Sequence, residues 1–115
     1  MSRLQPVVDG FTGLESSDDI MVQVLEVLTK EVLLPEPGNF YTFIYRAKTP
    51  NIEYDEFPLI ACIDVQKWGF VGFSFHWGKQ RNYSWEEVVG KLHVVEANEL
   101  EDARSLGYAK FRIST

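Results

Sequence analysis

A second cysteine is missing, which excludes an internal disulfide and any thiolate metal cage: Cys62 stands alone in the chain. Set in an apolar run, it reads as a small core residue rather than a reactive thiol, and a reducing compartment is the expectation. Positive charge is also scarce. Eleven Lys and Arg against 17 Asp and Glu give a formal net charge of −6 and a sequence pI near 4.8. Phosphate-wrapping surfaces need clustered cations, so nucleic acid is not an expected partner. No apolar run reaches the roughly 18 residues that span a bilayer, and residues 1–10 hold no stretch of signal-peptide length. The expectation is a soluble product of a cytoplasm with no membrane partner. The two histidines, His76 and His93, have no ligand-spaced Cys or carboxylate beside them, so no metal is expected. The glycines are dispersed, and Gly69 and Gly72 lie where no helix N-terminus follows to hold phosphate. No cofactor is expected.

What the chain does have is apolar and aromatic residues, 45% and 14% of its 115 positions. That length and composition predict one domain with one core. The organising stretch is 56–77, two apolar runs joined by Gln66, Lys67, Trp68 and Gly69, which read as a β-hairpin. Before it, residues 1–16 mix isolated apolar residues with Pro6, Gly10 and Gly13, and read as an N-terminal arm that docks on a neighbour or frays. The globular domain is then 17–115. Ser16 to Asp19 offer a capping-box-like start, and Met21, Val24, Leu25, Leu28 and Val32 recur at helical spacing. A helix over about 18–33 is predicted. The β-branched Val22, Val24 and Val27 leave a strand over 20–28 as the alternative.

Pro35 and Pro37 end that element, and residues 39–46 read as a strand covered on both faces. A loop over 47–55 leads to a strand over 56–66, with Pro58 near its start. Along 68–77, alternation sets Val71, Phe73, Phe75 and Trp77 on one face and Phe70, Ser74 and His76 on the other; the first face is predicted to be core. Residues 78–82 read as a polar turn. Ser84 to Glu87 match a capping box for a short helix ending near Gly90. A strand over 91–97, a short helix capped by Asn98 and a last strand over 108–113 complete the chain. About five strands with turn signals between them predict a mainly β (α+β) fold, a small partly open barrel with added helices. The alternative is one open sheet with the first helix packed across it.

Candidate sites are few. His76 on a strand end, with Tyr54, Asp55 and Arg81, supplies the parts of an acid–base ribonuclease site if all four share a barrel mouth. The competing reading is a strand-end histidine bonded to backbone, which the acidic chain favours. The aromatics of 40–45 and 70–75 suit a stacking platform for single strands but more often simply form a core, and few cations flank them. The acids Glu96, Glu99, Glu101 and Asp102 read as a solvated helix face. Trp68 and His76 are the hairpin residues expected to meet a partner. Leu59, Ala61, Ile63, Val71, Phe73 and Phe75 are its expected core.

Several short motifs occur in a fixed order. They are Pro37-Gly38 with Tyr41, Phe43, Tyr45, Lys48 and Pro50; Tyr54-Asp55 with Phe57-Pro58-Leu59-Ile60; Gly69-Phe70 with Gly72-Phe73 and His76-Trp77; and Arg81, Tyr83 and Trp85. Together, over about 37–113, they resemble small virion-associated proteins of large contractile-tailed bacteriophages, including those of marine cyanobacteria. The resemblance implies an SH3-like barrel that serves as a structural or assembly part rather than an enzyme. It implies other virion proteins or a second copy as partners, and a place in the host cytoplasm or the virion. Trp68, His76, Trp77, Arg81, Tyr83, Tyr54 and Asp55 are the binding residues expected. A protein that binds and modulates a host factor is the alternative, and a nucleic-acid-binding or ribonuclease barrel a further one.

Overall fold

The structure, a computed structural model, describes residues 2–115. Helix α1 spans Gln5–Asp9 and α2 spans Ser17–Val27. Strands follow as β1 (Glu31–Val32), β2 (Phe40–Tyr45), β3 (Glu53–Asp55), β4 (Leu59–Val65), β5 (Gly69–Ser74), β6 (Lys79–Ser84) and β7 (Val88–Val95). Helix α3 (Leu100–Ser105) and β8 (Phe111–Ile113) end the chain. Six strands form one antiparallel sheet in the order β1-β7-β2-β4-β5-β6, while β3 and β8 pair apart as a second sheet. The mainly β class agrees with the sequence. A partly open SH3-like barrel of about five strands is not confirmed: the sheet order ends at β1 and β6, and no closed barrel is found among the described residues.

The residues that start α2 are those the sequence marks. Ser16 Oγ accepts from the Asp19 amide at 3.2 Å, and Asp18 and Asp19 stand in the positive first turn. Ile20, Met21, Val24 and Leu28 are buried at helical spacing. The helix ends at Val27, short of the expected 33, because Leu28 leaves helical geometry (φ −85°, ψ 73°) and the chain turns extended. The amide of Val94 then donates to Lys30 O at 2.9 Å, and β1 pairs with β7.

The arm expected over 1–16 is partly folded onto the body. Leu4 is fully buried, and Arg3 Nε and Nη2 donate to both carboxylate oxygens of Glu99 at 2.7 and 2.9 Å. Met1 lies outside the described residues. Glu99 is itself buried and closes a capping box with Glu96, so the turn over Ala97–Glu99 leads into α3 from Glu96 rather than from Asn98. The acidic face predicted there is thus partly a structural joint. Ser84 Oγ does bond Glu87, at 2.5 Å, but only a 3-10 turn over Trp85–Glu87 results, because Val88 already pairs with Tyr45 in β7.

Two cores lie on the two faces of the large sheet. On one, α1, α2 and α3 pack Leu4, Ile20, Met21, Val24, Leu28 and Ala103 against Leu59, Val95 and Tyr108. On the other, Tyr41, Phe43, Tyr45, Tyr54, Phe70 and Tyr83 interlock with Ile60 and Leu92. The rings meet mostly edge to face, as between Tyr45 and Tyr83 at 5.1 Å and Phe43 and Tyr83 at 5.4 Å. This second core takes the face of β5 not expected to be core, while of the expected face only Phe75 packs against the helix-side core. Phe70, Gly72 and Ser74 point inward, while Phe73 is exposed and Val71 and Phe75 are half-buried. Volume permits this: Gly72 and Ser74 leave room beside Phe70 for the rings of β2 and β6, and a Cβ on Gly72 would already meet Ile60 side-chain atoms at 3.1 Å. On β4, Leu59 is core as expected, Ala61 is half-buried, and Ile63 is exposed beside a bulge.

Candidate interaction groove

The segment expected as a polar turn, 78–82, is mostly strand β6, and it forms one edge of the large sheet. Glu53–Asp55, expected as loop, is β3, held on one side by β8. Between them runs an open groove of about 560 Å³, lined among others by Tyr45, Tyr54, Trp77, Lys79, Arg81 and Glu87. Arg81 crosses it: Nη2 donates to the main-chain oxygen of Glu53 at 2.9 Å. Its guanidinium also lies 4.1 Å from the Trp77 ring centre, and Lys79 Nζ lies 4.7 Å from it. Phe111 meets the same indole edge-on at 4.7 Å, so β8 supports the groove from behind.

One end is a fixed polar corner. Glu87 accepts from the Tyr45 hydroxyl at 3.0 Å, from Ser84 Oγ at 2.5 Å and from the Lys48 amide at 2.5 Å. Burial raises the Glu87 pKa, but these donors outweigh it and hold the carboxyl below its ordinary value. Burial pushes the Tyr45 phenol up to about 12, with the Ser84 backbone opposing and Glu87 adding to the rise.

Two further expected residues, Asp55 and Tyr83, are buried rather than open to the groove. Asp55 Oδ1 accepts from the amides of Phe57 and Lys110, both at 3.0 Å, whereas Oδ2 has no partner among the described residues. Burial raises the Asp55 pKa to about 6, against the pull of those two amides and of the Arg81 charge. The Tyr83 hydroxyl is likewise unpartnered, and burial raises its pKa, with Arg81 opposing and Asp55 adding.

The structure therefore brings Tyr54, Trp77 and Arg81 together, with Asp55 and Tyr83 enclosed. It separates His76, which packs edge-on to Tyr108 at 5.2 Å, has no aligned hydrogen bond on either ring nitrogen, and has its pKa lowered by burial. The four-residue acid–base set is not assembled. Trp68 is exposed, as expected, but sits at the β4–β5 turn, where its carbonyl accepts from the Trp85 amide. Trp68, Trp77 and Tyr83 form no common exposed patch, since Tyr83 is buried. Lys79, Tyr45 and Glu87 were not singled out from sequence. The capping-box signal at Ser84 and Glu87 did carry the corner, under the name of a helix start.

Elsewhere, Ile63 is exposed at the β4 bulge and Phe73 on the helix-bearing face of the sheet. From Phe73 a line of rings runs inward, to Phe75 at 5.4 Å and on to Phe40 at 6.2 Å. No group of three or more His, Cys, Asp or Glu suited to a metal occurs among the described residues, and no helix is long and apolar enough to cross a membrane. Set against known protein families, curated proteins and solved structures, the chain finds no match.

Proposed function

We propose that this chain is a non-catalytic structural or assembly protein of a large contractile-tailed bacteriophage, binding other virion components or a second copy of itself. It is made in the host cytoplasm and joins the particle there. The observation that carries the reading is the uncovered apolar face of the hairpin. Helices α1 to α3 cover Leu59 and Val95, yet stop short of Ile63, which is 45% exposed, and Phe73, which is 37% exposed. Large apolar side chains left exposed on a sheet in this way are the kind of surface that assemblies cover. The ordered motifs over 37–113 support the phage assignment, and on that reading the six-stranded sheet is an open version of the family's SH3-like barrel.

Mass spectrometry of purified virions, with cross-linking, tests this. The chain is expected in the particle, with cross-links from engineered lysines flanking Ile63 and Phe73. Its absence from particles, together with one stoichiometric host protein in a pull-down, replaces the reading with that of a host-factor binder.

A further inference from the structure

We infer that the groove between β6 and β3 takes an extended segment of a partner protein as an added strand on the β6 edge, with a carboxylate of that segment against Arg81 and Lys79. This rests on the protein-binding reading above and names the chemistry of one partner. Among the described residues β6 pairs with β5 alone and β3 with β8 alone, and residues of both strands line one groove. The Ser84 amide already donates to the Tyr45 hydroxyl at 3.5 Å, so the open edge is 79–82, about 14 Å at about 3.4 Å per residue, long enough for a short strand. The Glu53 carbonyl on the opposite wall takes its donor from the Arg81 side chain, where a neighbouring strand would supply an amide.

In an added strand, alternate side chains face Tyr45 and Tyr54 while the main chain pairs with β6. The charge requirement comes from β6. Lys79 and Arg81 make no ion pair among the described residues, on a chain whose formal net charge is −6. Trp77 holds both cations over its ring, so they are oriented before a carboxylate arrives. Lysine and arginine on an edge also discourage indiscriminate pairing, which makes acidity the condition for entry. A single-stranded nucleic acid fits less well. The Trp77 ring, on which a base would stack, is already engaged by Arg81, Lys79 and Phe111.

The full chain, immobilised, is panned against a displayed library of random peptides of roughly 12 residues. Enriched sequences are made synthetically and their affinities measured for the wild type, Lys79→Glu and Arg81→Glu, with melting curves confirming that each variant folds. The expected peptides carry Asp or Glu among alternating apolar residues. Each charge reversal weakens binding by about tenfold or more, and bound peptide slows amide exchange across residues 79–82. The inference is overturned if the library yields no binder, if protection falls on the Ile63 and Phe73 face, or if neither reversal weakens binding. It is also overturned if oligothymidylate, but no peptide, binds through these residues. Detection in virions is read separately, so a failed groove leaves the assembly role standing, and the converse holds.

Discussion

At the scale of single residues, two buried tyrosines and one aspartate make opposite contributions. The Tyr108 hydroxyl donates to Thr42 Oγ1 at 2.9 Å, and that hydroxyl donates on to Pro58 O at 2.9 Å, a fully satisfied chain. The Tyr83 hydroxyl is buried beside Ser74 with no aligned hydrogen bond among the described residues. Tyr108→Phe should therefore lose about 1 kcal/mol, while Tyr83→Phe should be neutral or gain up to about 1 kcal/mol, because removing an unsatisfied group removes its desolvation penalty. Urea denaturation of the two variants checks the contrast. Asp55 adds a pH dependence. Its folded pKa, about 6, lies above the ordinary 3.8, so between those values the folded state holds the extra proton. Its contribution to stability is greatest below pH 3.8, falls as pH rises to about 6, and is flat above. The span is on the order of 3 kcal/mol. Asp55→Asn removes this dependence, so its stability relative to wild type should rise from about pH 4 to about pH 6 and then level off in denaturant titrations. A difference that stays constant with pH would show that Asp55 ionises as freely as in the unfolded chain.

Elements depend on what each turn leaves room for. A Cβ on Gly69 would stand 1.9 Å from the Tyr83 carbonyl oxygen and 2.7 Å from Ser84 Cα, both main-chain atoms of β6. Gly69→Ala should cost about 4 kcal/mol or more, since β5 and β6 must part to admit it. Gly90, in β7, has φ +77° and open space around its Cβ position, so Gly90→Ala should cost only about 1 kcal/mol, the strain of a left-handed backbone. Thermal melts of the pair separate a steric cause from a conformational one. The same contrast shows what was legible in the sequence. The strands β2, β4 and β5, the start of α2 and the turn at Gly69 follow from local composition and spacing. Alternation told which β5 residues share a face but not which face is inward, because that depends on Ile60 and on rings contributed by β2 and β6. In sequence β6 resembles a turn because Lys79, Gln80, Arg81 and Asn82 have little strand propensity, and pairing with β5 makes them extended. Of the groove, Tyr54, Trp77 and Arg81 were visible as residue types, while Lys79, Tyr45 and Glu87 depend on that unrecognised edge.

For the whole molecule, the question is what joins the β3–β8 sheet, and with it one wall of the groove, to the rest. Glu56 stands at the junction. Its backbone links both parts, accepting from the Tyr45 amide and donating to Lys110 O, each at 2.8 Å. Its buried carboxylate gathers Arg112 at 2.5 Å, in a charge contact without hydrogen-bond alignment, and Arg46 and Lys110 at 3.8 Å. All three cations reach water, so removing the anion does not strand a buried positive charge, and the loss should stay local. Glu56→Gln keeps the shape and deletes the charge. Amide exchange at 53–55 and 111–113 should then accelerate by about tenfold, the equivalent of about 1.4 kcal/mol of local opening, while β4 and β5 keep wild-type rates. Uniform acceleration through β4 and β5 would instead make the two sheets one cooperative unit. Local acceleration alone would show that the β3 wall opens by itself, and because Arg81 bonds the Glu53 carbonyl across the groove, the same variant should also weaken any strand held there.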